Sequence, residues 1–335
     1  PAGTLGLWDL GRMAGPADPL PPPINAPGRG QLLRGRAVLA AIAALRPTLV
    51  HSMEVQHAGY ACLAAERERR GMFPPWLVSN WGSDFQFYRV LGVHRPVLEE
   101  LAARMDFYLG ECARDQRVAR ELGYAGPEID PIPASGGMDF SRLPPIRTMP
   151  PPSQRRDIVV KGYHGWSGRA MHVLSALRLI APALVGFRIR VVLAGEAVAA
   201  MTGKLRATAG QDISGGPYAQ CHEEALARLA GARMTISAGI SDGIGTTTLE
   251  AMAMGSFPIA GESSCAGEWI ACGRDGFQVD PHDVAGMAAK IAQAAKDDAL
   301  VDAAAHRNRA VVERRWSAAV NAEKVIRLYL SLSAQ

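Results

Sequence analysis

The chain has 335 residues, 48% hydrophobic and 20% charged, which is enough for two globular domains with a core each. A net charge of +4 suits an anionic small molecule or loose contact with acidic lipid; with no basic stripe interleaved with aromatics, it argues against a nucleic-acid-binding role. No run reaches the roughly 18 apolar residues of a membrane-spanning helix, and no charged leader opens the chain, so a cytoplasmic protein is expected.

The Gly/Pro-rich lead through Pro27 offers only Thr4-Leu-Gly-Leu-Trp-Asp-Leu as a strand, with nothing helical soon after it. The first βα unit is therefore expected upstream of Pro1. From Gln31 the apolar periodicity predicts a helix over 31–45, a strand over 48–52, a helix over 57–70, a strand over 76–80, a helix over 95–104, a strand over 106–110 and a helix over 112–122. The stretch from Pro131 to Pro152, with Gly136-Gly137 and five prolines from Pro144 on, reads as a linker. A second alternation follows: strand 157–161, helix 169–181, strand 188–193, helix 219–230, strand 233–237, helix 247–254 and strand 257–260. Helices near 282–296, 299–313 and 317–332 end it. Regular alternation of this kind predicts an α/β protein with mostly parallel, doubly wound sheets. The domains are expected at 1–140 and 153–315, with 316–335 as a terminal helix.

Cys62, Cys112, Cys221, Cys265 and Cys272 are scattered, odd in number and without zinc-site spacing, which predicts a reducing compartment, small buried thiols and no metal. Arg67, Arg69 and Arg70 close a predicted helix, where cations complement its dipole.

The most informative string runs from Ser241 to Gly255. It places Asp242 on a glycine-rich turn, Thr246, Thr247 and Thr248 where a helix begins, and Glu250 one turn further in. Such a turn aims backbone N–H groups and a helix dipole at one point, which suits a phosphate, while Glu250 can accept hydrogen bonds from a ribose. The competing reading is structural, since Thr247-x-x-Glu250 is also a capping box and Asp242 can simply brace the turn. Gly243-Ile-Gly245 lacks the third glycine of a dinucleotide fingerprint, so a nicotinamide cofactor is not supported.

Asp242-x7-Glu250, continuing through the small-residue helix to Gly255 and Pro258, resembles the Glu-x7-Glu signature of retaining glycosyltransferases of the GT-B fold, family 4. The resemblance implies two Rossmann-like domains facing across a cleft, the terminal helix crossing back to the first. It implies a nucleotide diphosphate sugar as co-substrate, with no other cofactor, and a carbohydrate or lipid-linked acceptor, in a protein that is cytoplasmic or peripheral to the inner membrane. Glu250 would then meet the ribose, Gly243, Thr246, Thr247, Lys161 and Arg169 the diphosphate, and Asp242 the transferred sugar. Lys161 and Arg169 flank a glycine-rich turn, although the family usually places an arginine first and a lysine about five residues later. In the first domain Asn80-Trp81-Gly82-Ser83-Asp84 follows a strand and resembles a loop near the sugar. Trp81 stands where the family more often has histidine; Asp84, Gly82 and Ser83 are the sugar-side candidates, with a turn role for Asp84 equally open. His51, at a strand end, and His57, at the next helix start, are acceptor-side candidates or hydrogen-bonded structural residues. Cys265-Ala-Gly267-Glu268 occupies the place of a pocket-shaping loop. Two rivals remain: a non-catalytic sugar-nucleotide-binding protein, and another GT-B enzyme such as a nucleotide-sugar epimerase or a phosphorylase.

Overall fold

The computed structural model describes residues 29–69, 73–216, 219 and 221–333. The strand expected at Thr4 and the cation Arg70 lie outside them. The chain divides into two compact units, one holding residues up to Gly110 together with Gln116–Asp130, the other Glu111–Asp115 and everything from Pro131.

In the first unit α1 (Arg29–Leu45), β1 (Val50–Met53), α2 (Tyr60–Glu68), β2 (Trp76–Ser79), α3 (Arg95–Arg104) and β3 (Phe107–Leu109) follow the predicted alternation. The parallel sheet runs β1-β2-β3. All four residues of β2 are buried, as expected of a strand covered on both faces. Val55, Tyr60, Leu63, Trp76, Phe85, Leu98 and Tyr108 form the core. The helix expected from residue 57 opens instead with a wide π-type turn, Val55–Gly59, braced by Glu54, whose carboxylate accepts from the His57 and Ala58 amides. The predicted helix over 112–122 is α4 (Ala113–Glu121).

The second unit contains β4 (Asp157–Lys161), α5 (Ala170–Leu179), β5 (Arg188–Val192), α6 (Glu196–Ala209), β6 (Asp212–Gly215), α7 (His222–Gly231), β7 (Ala232–Ser237), α8 (Thr246–Ala253), β8 (Phe257–Gly261), β9 (Phe277–Val279), α9 (Val284–Lys296), α10 (Asp298–Arg315) and α11 (Ala318–Ser333). Its six strands are all parallel, in the order β6-β5-β4-β7-β8-β9. Counted in chain order within this unit, that is the 3-2-1-4-5-6 arrangement of a doubly wound Rossmann sheet. Both units are thus α/β layers on parallel sheets.

Three expectations are corrected. The sequence reading passed over α6, β6 and β9. Asp212-Ile-Ser-Gly buries only Ile213 fully, leaving almost no apolar signal, and Gly203 lowers the helix propensity of α6, which nonetheless runs through it unbroken. The proline-rich stretch is part of the second unit. The buried Arg155 guanidinium donates to Pro150 O, Ala232 O and Met254 O, and Ser153 binds Asp302 through its amide and hydroxyl (2.8 and 2.6 Å). Met138 pairs with Ser317, and Trp316 Nε1 donates to Ser135 Oγ (3.0 Å). Burial holds the Arg155 guanidinium down at about 10; the carbonyls satisfy Nε and Nη1, while Nη2 is buried without a partner among the described residues. The third correction concerns the cysteines. Cys112 and Cys265 form a disulfide across 153 positions, Cα atoms 6.4 Å apart, which removes the support that unpaired cysteines lent to a reducing compartment. Cys62 is a buried thiol pushed up to about 12, while Cys221 and Cys272 are exposed. Among the described residues no helix is long and apolar enough to cross a membrane.

Candidate donor-binding site

In an open parallel sheet a ligand site forms outside the carboxyl ends of the strands, where the strand order reverses. Here that point lies between β4 and β7, and the residues leaving these two strands line one pocket. Lys161 ends β4 and Ser237 ends β7; Tyr163, Ser167, Gly168, Ala238, Gly239, Ser241, Asp242, Gly245, Thr248, Ala260, Gly261 and Ser264 complete the lining. Lys161 Nζ stands 3.7 Å from Asp242 Oδ2, so the cation and the acid of the motif face the same space. The Ser241 hydroxyl is buried in this wall with no hydrogen-bond partner among the described residues, an arrangement that calls for a ligand or water. Gly261 is required by packing, since a Cβ there would stand 2.5 Å from Gly239 O.

At the helix start the threonine run does not supply the cap. Gly245, not a threonine, caps α8, and no side chain caps it. Thr247 lines a separate small cavity with Val159, Ala225 and Leu229, and Thr246 is exposed. The capping box is therefore not formed, and of the three threonines Thr248 lines the Lys161 pocket. Glu250 is buried, and its Oε1 lies 2.7 Å from His222 Nε2. Burial pushes its carboxyl above the usual range, opposed by the His222 bond and the Lys161 charge.

Arg169 does not join Lys161. Its Nη1 turns back onto Gly165 O and Gly168 O (3.0 and 2.8 Å), bracing the glycine-rich loop from which it was expected to reach a phosphate. Gly243 contributes backbone, its carbonyl accepting from Cys265 N at 2.8 Å.

Two further residues of the second unit brace the loops around this pocket, and one of them, Arg114, is not connected to the site by the sequence. Arg114 donates to Asp242 O (3.0 Å) and Ser263 O (2.8 Å) while pairing with the fully buried Asp115. Glu268 accepts from the Ala113 and Arg114 amides, which gives the expected loop role of that glutamate a definite partner. No local spacing announces these contacts, because the partners lie about 130 to 155 residues apart. Cys112, Asp115 and Cys265 bring three potential metal-ligand atoms within 4.8 Å, a grouping not foreseen from spacing. The two sulfurs are bonded to each other and Asp115 carries the arginine, so these groups already have partners.

The first-unit candidates are held by groups of their own unit. Asp84 Oδ2 accepts from Val55 N (3.0 Å) and Trp81 N (2.8 Å), so the Asn80 to Asp84 loop is a turn built on this carboxylate. Gly82 takes a φ of 53° in that turn, Ser83 N donates to Trp81 O, and the Trp81 side chain is half exposed. His51 Nε2 lies 2.7 Å from Ser79 Oγ, and burial lowers its ring to about 4, which keeps it neutral near pH 7. His57 Nδ1 lies 2.8 Å from Glu54 Oε2, and that bond raises its pKa. Arg67 pairs with Glu100, so it is not an unpaired basic patch residue.

Comparison with known proteins agrees with this architecture. Residues 159–297 match the family model described as glycosyl transferases group 1. Among solved structures the chain is similar to a sucrose-phosphate synthase from Thermosynechococcus elongatus, at 17% identity over 96% of this chain and 82% of that one, with a TM-score of 0.74. It is also similar to Anabaena HepE solved in complex with UDP-glucose (13%, 89% and 82%, TM-score 0.69) and to a glycosyltransferase from Rickettsia africae (17%, 90% and 81%, TM-score 0.66). No curated protein matches the sequence. At these identities the likeness establishes the fold, which is GT-B with two Rossmann-like domains.

Proposed function

We propose that the chain transfers a sugar from a nucleoside diphosphate sugar to a carbohydrate or lipid-linked acceptor, with retention at the anomeric carbon. The observation that carries this reading is the convergence of Lys161, Asp242 and the α8 helix start at the strand-order reversal, with buried Glu250 on the first turns of the same helix. The family match over the same unit supports it, as does the UDP-glucose held by the similar Anabaena protein.

In this scheme the diphosphate lies against the first turn of α8 and Lys161, the ribose against Glu250 and the sugar against Asp242, which leaves its partner Lys161 to the phosphate. The bond from the anomeric carbon to the phosphate oxygen breaks, the acceptor oxygen bonds to that carbon on the same face, and the acceptor proton passes to the departing phosphate oxygen. Lys161 and the helix N–H groups stabilise the charge that develops on the diphosphate, a contribution of several kcal/mol when preorganised. No metal is needed in this scheme.

The test is a thermal-shift screen of UDP-, GDP- and ADP-sugars, followed by NMR of the product anomer. A ligand at about 100 times its Kd stabilises by about 2.7 kcal/mol, well within detection. An inverted product would refute retention. An epimer formed from donor alone would make the chain an epimerase, and binding without transfer to any acceptor would make it a binding protein.

A further inference from the structure

His222 sits at the start of α7, its imidazole more than half exposed, and places Nε2 2.7 Å from Oε1 of Glu250. The two helices are well packed there. Ala225, Leu226 and Leu229 of α7 are buried, and Ala225 and Leu229 line a small apolar cavity with Thr247 of α8. The start of α7 is thus placed by packing, and the exposed ring is held by its bond to Glu250. A buried carboxylate that loses its partner bears the full desolvation cost of that oxygen, so the contact resists displacement. A carboxylate clamps the two hydroxyls of a ribose most directly with one oxygen on each. In this protein the His222 ring stands against Oε1 and holds one of its two lone pairs, while Oε2 makes no hydrogen bond to the described residues.

Resting on the donor-site reading above, we propose that His222 is a specificity-determining residue: it holds one oxygen of Glu250, so the ribose is bound through a single hydroxyl on Oε2. The nucleoside end is then read more loosely than a diol clamp would read it. A nucleotide lacking the other hydroxyl is accepted almost as well as the parent. Removing the ring opens Oε1 and converts the contact into a two-hydroxyl clamp.

The experiment is calorimetry with whichever of UDP, GDP and ADP binds, together with its 2′-deoxy and 3′-deoxy forms. For the wild type, one deoxy form is expected within about twofold of the parent and the other at least about tenfold weaker. For His222→Ala both deoxy forms should weaken at least tenfold against the parent. His222→Gln, whose amide can still donate to Oε1, should restore the one-sided pattern, which a general loss of packing would not do. Equal penalties for both deoxy forms in the wild type, or an unchanged one-sided pattern in His222→Ala, would overturn the proposal while leaving the donor site standing. A wild type that binds none of the three diphosphates overturns the donor reading itself, and the proposal with it.

Discussion

The two units use the carboxyl ends of their parallel strands in opposite ways. In the first, the acids past the strand ends serve the fold, Asp84 holding the Val55 and Trp81 amides and Glu54 the turn at His57, while His51, expected at a strand end, lies inside β1 and meets Ser79. In the second, Lys161, Asp242 and Ser241 face a common pocket, with one hydroxyl left unpartnered. Polar residues past a strand end are thus ambiguous in sequence. Some complete a fold and others await a ligand, and the difference is whether backbone groups nearby already need them.

This contrast is sharpened most by the residue that props the second site without lining it. Arg114→Ala leaves the Asp115 carboxylate buried without its guanidinium and should cost about 3 to 5 kcal/mol in unfolding stability, with Arg114→Lys milder. Denaturant curves showing no shift would mean that the arginine bears no load. In the first unit His51 is lowered from 6.5 to about 4, so its neutral form contributes stability that is complete above pH 6.5 and lost as pH falls through 4. That difference corresponds to about 3 kcal/mol. His51→Gln should flatten the urea midpoint over that interval, and an unflattened profile would deny the ring its structural role.

Glu250→Gln should weaken nucleoside diphosphate binding by about 1.5 to 3 kcal/mol, the range for a hydrogen bond to a charged group, with little change in the fold. Equal affinity in calorimetry would place Glu250 among the residues that merely complete the structure. Asp242→Asn should lower turnover yet shift affinity for the bare diphosphate by less than about 1 kcal/mol. A larger loss would put Asp242 at the phosphate end. The smallest expected effect is that of a chelator, which should leave activity unchanged if Lys161 and the helix start carry the leaving-group charge; loss of activity restored by magnesium or manganese would overturn that mechanism.

Much of the fold was legible because apolar periodicity and turn residues are local. Helix 95–104 and strand 157–161 fall where the pattern put them. That Asp242 and Lys161 meet at one pocket was legible because a loop and a strand end each announce themselves in a few residues. Arg169 lies apart from Lys161 because its loop folds back to offer carbonyls to the guanidinium, a geometry that spacing does not encode. His222, Arg114 and the Cys112 to Cys265 bond arise from segments brought together only by the sheet order, so no short window contains them.

The six-stranded sheet ends on one side at β6, a four-residue strand whose Asp212 is paired with Arg190 from β5. On the other side β9 is only three residues long, and Cys272 Sγ accepts the Gln278 amide at 3.4 Å. Short length, charge and a side-chain acceptor are the means by which open sheets avoid templating further strands. The rims of this sheet are accordingly poor nuclei for edge-to-edge self-association, and the overlooked strand β6 works as a terminator of the sheet.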